Sequence, residues 1–420
     1  MAKKKAPARQ PQATSTKKPQ SPSHTKPAAG EPNLRRATEL VMKLMAIPGR
    51  SGEETAVAEF IRQQLVAAGA PEDAITTDNA HKKTPITGEI GNLIFKLPGT
   101  IRAPRRLLMA HIDTVPICVG SKPKREGNLV RSANPKTGLG ADNRAGAAVV
   151  LNTALEILQR KLPHPPLTFL WPVQEEIGLY GARNVKPASL GRPQLAFNWD
   201  GSAPDRLTIG ATGGYRIEIE IFGQASHAGA APEQGISATA IASLAIAQLV
   251  REGWHGLIEK PGGRQGTSNI GVIHGGDATN VVTDYVEIRA EARSHDSEFR
   301  QEIVNQIEQA FQDAAKQVRN AAGETGRVEI AGRLDYDSFR LASDEPTLLV
   351  AEQAVQDVGL TPERAVSNGG LDANWMNAHG IPTVTLGCGQ MNIHTVNEQL
   401  DLAAFEQACK IALRVATVEE

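Results

Sequence analysis

The chain has 420 residues, 40% hydrophobic, 22% charged and 4% aromatic, enough for two domains or one large one and a balance that excludes disordered, collagenous and coiled-coil classes. No apolar run approaches the roughly 20 residues of a membrane-spanning helix, and the scattered Cys118, Cys388 and Cys409 supply neither a disulfide framework nor a Cys-x-x-Cys site. The net charge of −1 divides unequally: residues 1–33 hold seven basic groups and one acid, leaving 38 basic and 45 acidic residues beyond them, which argues against a nucleic-acid-binding surface on the folded part.

Residues 1–33 are rich in Lys, Pro, Ser, Thr, Ala and Gln with little apolar bulk, so the segment is expected to be a disordered basic tail. It carries no apolar h-region of a secretory signal and no Arg-rich amphipathic pattern of a transit peptide. With the three thiols, this points to a reducing cytoplasm and no membrane partner.

A helical pattern starts near Leu34, and a second follows Ser51, which with Glu54 reads as a capping box. Short apolar runs then alternate with helices: 92–97, 105–112, a helix over 145–161, 167–173 and 195–200. This rhythm predicts an α/β fold, a mixed, mostly parallel sheet with helices on both faces and active groups at the carboxyl ends of strands. Near Gly213 the period changes to two, and strands and helices follow in the order β-α-β-β-α-β, the ferredoxin-like order of an inserted α+β domain at 212–338. The first domain, 34–211, resumes at 339–420.

Four strand-end segments concentrate acids and an imidazole. In Ala110-His111-Ile112-Asp113, residues two apart on an extended backbone point the same way, so His111 can bind a metal while Asp113 fixes its tautomer. Asp142 lies in a glycine-rich bend that opens a helix, Glu175 and Glu176 follow an apolar strand, and Asp200 follows another. Each alone is compatible with a solvated strand end, a turn or a helix-dipole partner. Together they gather like charges at one sheet edge, which a pair of divalent cations would neutralise. His394, after the run 383–387, is the best remaining second imidazole, since the other histidines lack strand-end acidic company. Nitrogen and carboxylate donors suit zinc, with cobalt or manganese possible by the same ligand logic.

HIDTVP at 111–116, GADNRAG at 140–146, PVQEEIGLYGA at 172–182, DG at 200–201, SHAGAAPEQGISA at 226–238 and IHTVNE at 393–398 occur in one order over about 110–400. In these segments the chain resembles the cocatalytic dizinc exopeptidases and amidohydrolases that include peptidase T, carboxypeptidase G and aminoacylase, and it is most similar to the peptidase T-like branch. The resemblance implies that His111 and Asp200 hold one metal, Glu176 and His394 the other, and that Asp142 bridges them. It implies Glu175 as general base, His227 as oxyanion stabiliser often reaching across from a partner subunit, and a homodimer through the inserted lid. Asn280 and Arg293 match lid positions that hold a substrate carboxylate, and the Gly369-Gly370 loop would let backbone amides approach substrate. An Asp at position 200 goes with members acting near a free amino terminus, so a tripeptide or short-peptide aminopeptidase is expected; a dipeptidase or N-acyl-amino-acid amidohydrolase would use the same site. Ile117-Cys118 departs from the family's usual Pro, beside His111.

Overall fold

The computed structural model describes residues 30–418. The expected disorder of 1–29 therefore lies outside the described residues, whereas residues 30–33 are placed. Asn33 caps the helix Leu34–Ala46 by accepting from the Arg36 N–H. Its own N–H donates to buried Glu156, and Arg160 donates to the Glu31 carbonyl at 2.7 Å. Residues 31–33 are thus tied to Glu156 and Arg160 of the long helix Ala141–Arg160.

The larger sheet has nine strands in the order Ile75–Thr77, Leu93–Leu97, Leu167–Trp171, Arg106–Met109, Leu195–Trp199, Thr383–Leu386, Arg206–Ala211 and Phe339–Arg340, with Glu363–Ser367 pairing off Arg206–Ala211. Four of its eight pairings are parallel and four antiparallel. The sheet is thus mixed rather than mostly parallel; its centre is parallel and most of its edge pairings are antiparallel. The parallel neighbours Leu167–Trp171, Arg106–Met109 and Leu195–Trp199 end at one edge, and their near-continuous apolar sequences are buried on both faces, as helix-covered strands require.

The helix Ala141–Arg160 lies against this sheet with residues 141–157 buried. Gly146 permits the approach: a Cβ there would stand 2.2 Å from the Trp199 carbonyl, and Asn143 Nδ2 donates to the same oxygen at 2.7 Å. The helix mouth is thereby pinned to the end of the strand that delivers Asp200.

The segment 213–336 forms a five-stranded antiparallel sheet in the order Gly256–Lys260, Arg264–Gly275, Tyr285–Ser294, Gly213–Phe222 and Arg327–Tyr336. Period two holds in Gly213–Phe222, where Ile217, Ile219 and Ile221 are buried between exposed Arg216, Glu218 and Glu220. The buried side packs on helices Ala238–Arg251 and Ser297–Gln317, capped by Ser237 and Asp296. The ferredoxin-like order thus carries one more strand than the sequence pattern showed. Gly256–Lys260 pairs with Arg264–Gly275 around Pro261-Gly262-Gly263, with both glycines at positive φ, and it is a short edge strand with little apolar content.

A small third sheet pairs the hairpin Pro123–Glu126 and Leu129–Ser132 with Gln399–Asp401 and Gln390–Met391. It brings the late polar loop 392–398 against the glycine-rich bend at 138–142, which no local sequence pattern reveals.

Candidate active site

His111 leaves the end of Arg106–Met109, Glu175 and Glu176 follow Leu167–Trp171, and Asp200 follows Leu195–Trp199. Asp142 opens the helix Ala141–Arg160 with non-helical angles, and the Asp142–Asn143 peptide is cis. Gln174 and His394 sit at φ 55° and 62°, left-handed angles that few non-glycine residues adopt and that aim the following acids and the imidazole inward.

The two oxygens of Asp142 face different imidazoles. Oδ1 lies 3.3 Å from His111 Nε2 and Oδ2 lies 3.2 Å from His394 Nε2. Glu176 Oε2 is 2.9 Å from His394 Nε2, and Asp200 Oδ2 and Glu175 Oε2 are each 3.9 Å from His111 Nε2. Donor atoms of His111, Asp142 and Glu176 lie within 4.8 Å of one another, as do those of His111, Glu175 and Asp200. The five expected ligands and the expected base thus converge, and Glu175 stands close enough to His111 and Asp200 to act as ligand or base.

Electrostatics make such a cluster unfavourable without a cation. Burial pushes Asp200 up to about 8 and Glu176 to about 7, each with the charge of Asp142 adding to the effect, and burial also raises Glu175 well above the usual carboxylate range. Asp142 stays low despite burial, because hydrogen bonds from His111 and His394 favour its charged form. Hydrogen bonds to Asp142 and Glu176 raise His394 to about 10. Glu176 Oε1 is buried with no partner. An orphaned buried oxygen among nitrogen and oxygen donors, with protons held where charge needs neutralising, fits a divalent metal pair.

Asp113 supports these groups. Its Oδ1 lies 3.3 Å from His111 Nδ1 and accepts from the Glu175 N–H at 3.0 Å, while Oδ2 accepts from the Glu176 N–H at 3.2 Å and Ser51 Oγ at 2.6 Å. The proposed capping box is absent: Ser51 is spent on Asp113, and Glu54 accepts from the N–H groups of Gly52 and Gln174. Tertiary demand from Asp113, which also holds the Glu175–Glu176 turn, overrides local capping. Buried Arg144, which donates to the Gly49 carbonyl, supplies positive charge beside Asp113 and Glu54 and is itself lowered to about 10 by burial.

Sequence reasoning also passed over Glu398. Its Oε2 accepts from the N–H groups of Leu139 at 2.8 Å and Gly140 at 2.7 Å and from Cys118 Sγ at 3.3 Å, and its Oε1 accepts from the Asp142 N–H at 3.0 Å. The available signal was an acid four residues after His394. Asp372, 1% exposed with neither oxygen partnered, is raised to about 7 by burial.

A cavity of about 660 Å³ opens over Asp142, Glu175, Glu176 and Asp200 and reaches Arg293 and Gly370. A Cβ on Gly370 would meet the Tyr336 ring at 2.4 Å, so packing requires this glycine. His227 and Asn280 are not on the cavity wall. They neighbour each other, since the Ala228 N–H donates to the Asn280 carbonyl and His227 bridges Val281. His227 Nδ1 accepts from the N–H groups of Gly229 and Ala230, an arrangement that leaves Nε2 as the ring's donor nitrogen.

The model of peptidase family M20/M25/M40 matches residues 107–417. The protein YqjE of Bacillus subtilis (strain 168) is 33% identical over 393 residues, covering 92% of this chain and 99% of that protein. Among solved structures, a tripeptidase from Staphylococcus aureus subsp. aureus Mu50 superposes with a TM-score of 0.82 at 29% identity, covering 92% of this chain and 98% of the other. The aminopeptidase PepT from Bacillus cereus ATCC 10987 gives 0.78 at 29%, with the same coverage. The match extends over the strand ends that carry the acids and imidazoles, and the chain belongs to peptidase family M20/M25/M40.

Proposed function

We propose that the protein is a metal-dependent aminopeptidase for tripeptides and other short peptides with a free amino terminus. The carrying observation is Asp142, whose two oxygens each face one imidazole, His111 and His394. His111 and Asp200 would hold one cation, Glu176 and His394 the other, and Asp142 would contribute to both. The donor set favours zinc, with cobalt or manganese as substitutes.

When bound, two divalent cations supply Lewis acidity and lower the pKa of an attacking water. Glu175, in the same cavity, takes the proton from that water and hands it to the leaving amine. Asp113 orients His111 and holds the Glu175–Glu176 turn through two backbone N–H groups. Gly370 and Arg293 belong to the wall along which the peptide lies.

Residues 34–211 and 339–420 are read as the catalytic domain and 212–338 as a lid, a division supported by the separate apolar cores. The lid also serves as a homodimer contact in this reading. Leu257, 71% exposed, and Ile273, 55% exposed, lie on its surface, and His227 with Asn280 stands off the chain's own cavity, available to a second copy. Three unpaired cysteines support a cytoplasmic location.

The test is a panel of tripeptides, dipeptides, amino-blocked peptides and N-acetyl amino acids, offered to metal-stripped protein with and without zinc, cobalt or manganese. Metal-dependent release of the first residue from free peptides is expected. Preference for acylated substrates would move the protein to the deacylases.

A further inference from the structure

The turn that carries Glu175 is held by side chains rather than by secondary structure. Beyond the strand Leu167–Trp171, the N–H groups of four successive residues each donate to a fully buried side chain. Val173 donates to Asn92 Oδ1 at 3.1 Å, Gln174 to Glu54 Oε1 at 3.1 Å, Glu175 to Asp113 Oδ1 at 3.0 Å and Glu176 to Asp113 Oδ2 at 3.2 Å. The carbonyls close the turn, that of Gln174 accepting from the Tyr180 N–H and that of Glu175 from Gly178 and Leu179. Within this frame Gln174 adopts φ 55°, an angle that a non-glycine residue keeps only where its surroundings impose it.

Glu54 reaches the turn across 120 residues of sequence. Its backbone opens the helix Thr55–Ala67, the carbonyl accepting from the N–H groups of Val57 and Ala58, while its side chain makes no cap bond to that helix. Oε1 instead accepts from Gly52 at 2.8 Å and from Gln174. Buried Val57, Ala58, Ile61 and Leu65 fix the helix in the main core, so Glu54 works from a rigid base. Burial and the charge of Asp113 push its carboxyl up to about 7. Oε2 has no partner among the described residues, so a proton resting there leaves Oε1 free to accept.

We propose that Glu54 is a positioning residue for the general base: by holding the Gln174 N–H it sets the backbone turn from which Glu175 reaches the cavity. The inference rests on the reading of Glu175 as base given above. Asp113 does not supply this hold, because its oxygens grip the two residues after Gln174 and not the left-handed residue itself. What Gln174 requires is an acceptor at the reach of a glutamate. Glutamine keeps that reach without the charge, whereas aspartate keeps the charge and falls one carbon–carbon bond, about 1.5 Å, short.

The experiment uses the full chain as wild type, Glu54→Gln, Glu54→Asp and Glu54→Ala, with two readouts. Hydrogen exchange of the amides of 173–176 in metal-stripped protein reads the hold on the turn, and kcat and KM for Ala-Ala-Ala on manganese-loaded protein read the base. Exchange should quicken by about 10-fold or more in Glu54→Asp and Glu54→Ala, the size of a lost bond to a buried acceptor, and stay near wild type in Glu54→Gln. In the same two variants kcat should fall by about 10- to 100-fold, as for a misplaced catalytic group, with KM little changed and manganese stoichiometry as in wild type; Glu54→Gln should keep most of kcat. If Glu54→Ala does not fold, the Gln and Asp variants decide alone. Wild-type kcat in Glu54→Asp, a loss in Glu54→Gln equal to that in Glu54→Asp, or a kcat loss that tracks loss of a metal would overturn the proposal. No turnover by wild type, with faster exchange in Glu54→Asp, would retire the aminopeptidase reading and keep the hold of Glu54 on the turn; normal turnover with equal exchange in every variant would do the reverse.

Discussion

Glu398→Gln tests whether a residue outside the ligand set holds the bridging carboxylate in place. Glu398 joins three backbone N–H groups of the 139–142 bend, at 2.8, 2.7 and 3.0 Å, at the mouth of the helix Ala141–Arg160. Glutamine keeps the shape but offers one acceptor oxygen. With that oxygen toward Leu139 and Gly140, its NH₂ faces the Asp142 N–H, so one bond is lost, two donors oppose each other, and the remaining bonds lose their charge. A buried hydrogen bond to a charged acceptor is worth about 1.5–3 kcal/mol, and the lost negative charge at a helix N-terminus about 0.3–1 kcal/mol more. The expected destabilisation is therefore about 2–4 kcal/mol, read by urea unfolding of metal-stripped protein. Because Asp142 is the residue displaced, metal affinity should also fall by about 10- to 100-fold, the range for residues that orient ligands, measured by competition with a chelating dye. Wild-type stability together with wild-type metal affinity would refute the reasoning. A stable variant with weakened metal binding would confine the role of Glu398 to aiming Asp142.

Glu175→Ala should retain both metals and lose turnover by about 10²–10⁴-fold, the usual contribution of a general base; loss of one metal per chain would instead make Glu175 a ligand. His227→Ala should keep fold and metal content while kcat falls by about 10²–10³-fold, as for removal of an oxyanion donor, and unchanged kcat would remove His227 from the reaction. Metal-stripped protein should lose stability as pH rises. Asp200 and Glu176, raised to about 8 and about 7, hold protons that the unfolded chain releases near pH 4, and His394, raised to about 10, extends the loss from about 6.5 upward. The rise in Tm on adding manganese should accordingly grow from pH 5 to pH 8; a rise that shrinks over that range would contradict the assigned ligands.

What could be read from the sequence is what a short stretch of chain determines. His111, Asp142, Glu175, Glu176 and Asp200 stand at the ends of apolar strands or the mouth of a helix, so each was visible from its own neighbours. The alternation Ile217, Ile219, Ile221 likewise marked its strand. What escaped depends on chain closure. Glu398 acts 256 residues away on Asp142, and Ser51 serves Asp113 across 62 residues, where local logic had given it to a helix cap. Strand Glu363–Ser367 contains Glu, Arg and Ser and forms only because Arg206–Ala211 offers an open edge.

The central claim is that Asp142 belongs to two cation sites at once. Calorimetric titration of the metal-stripped chain with manganese, on wild type and on Asp142→Ala, tests it most directly. The account predicts two ions per chain for wild type and the loss of tight binding at both sites in the variant. One ion per wild-type chain, or two ions retained at wild-type affinity by Asp142→Ala, would contradict it.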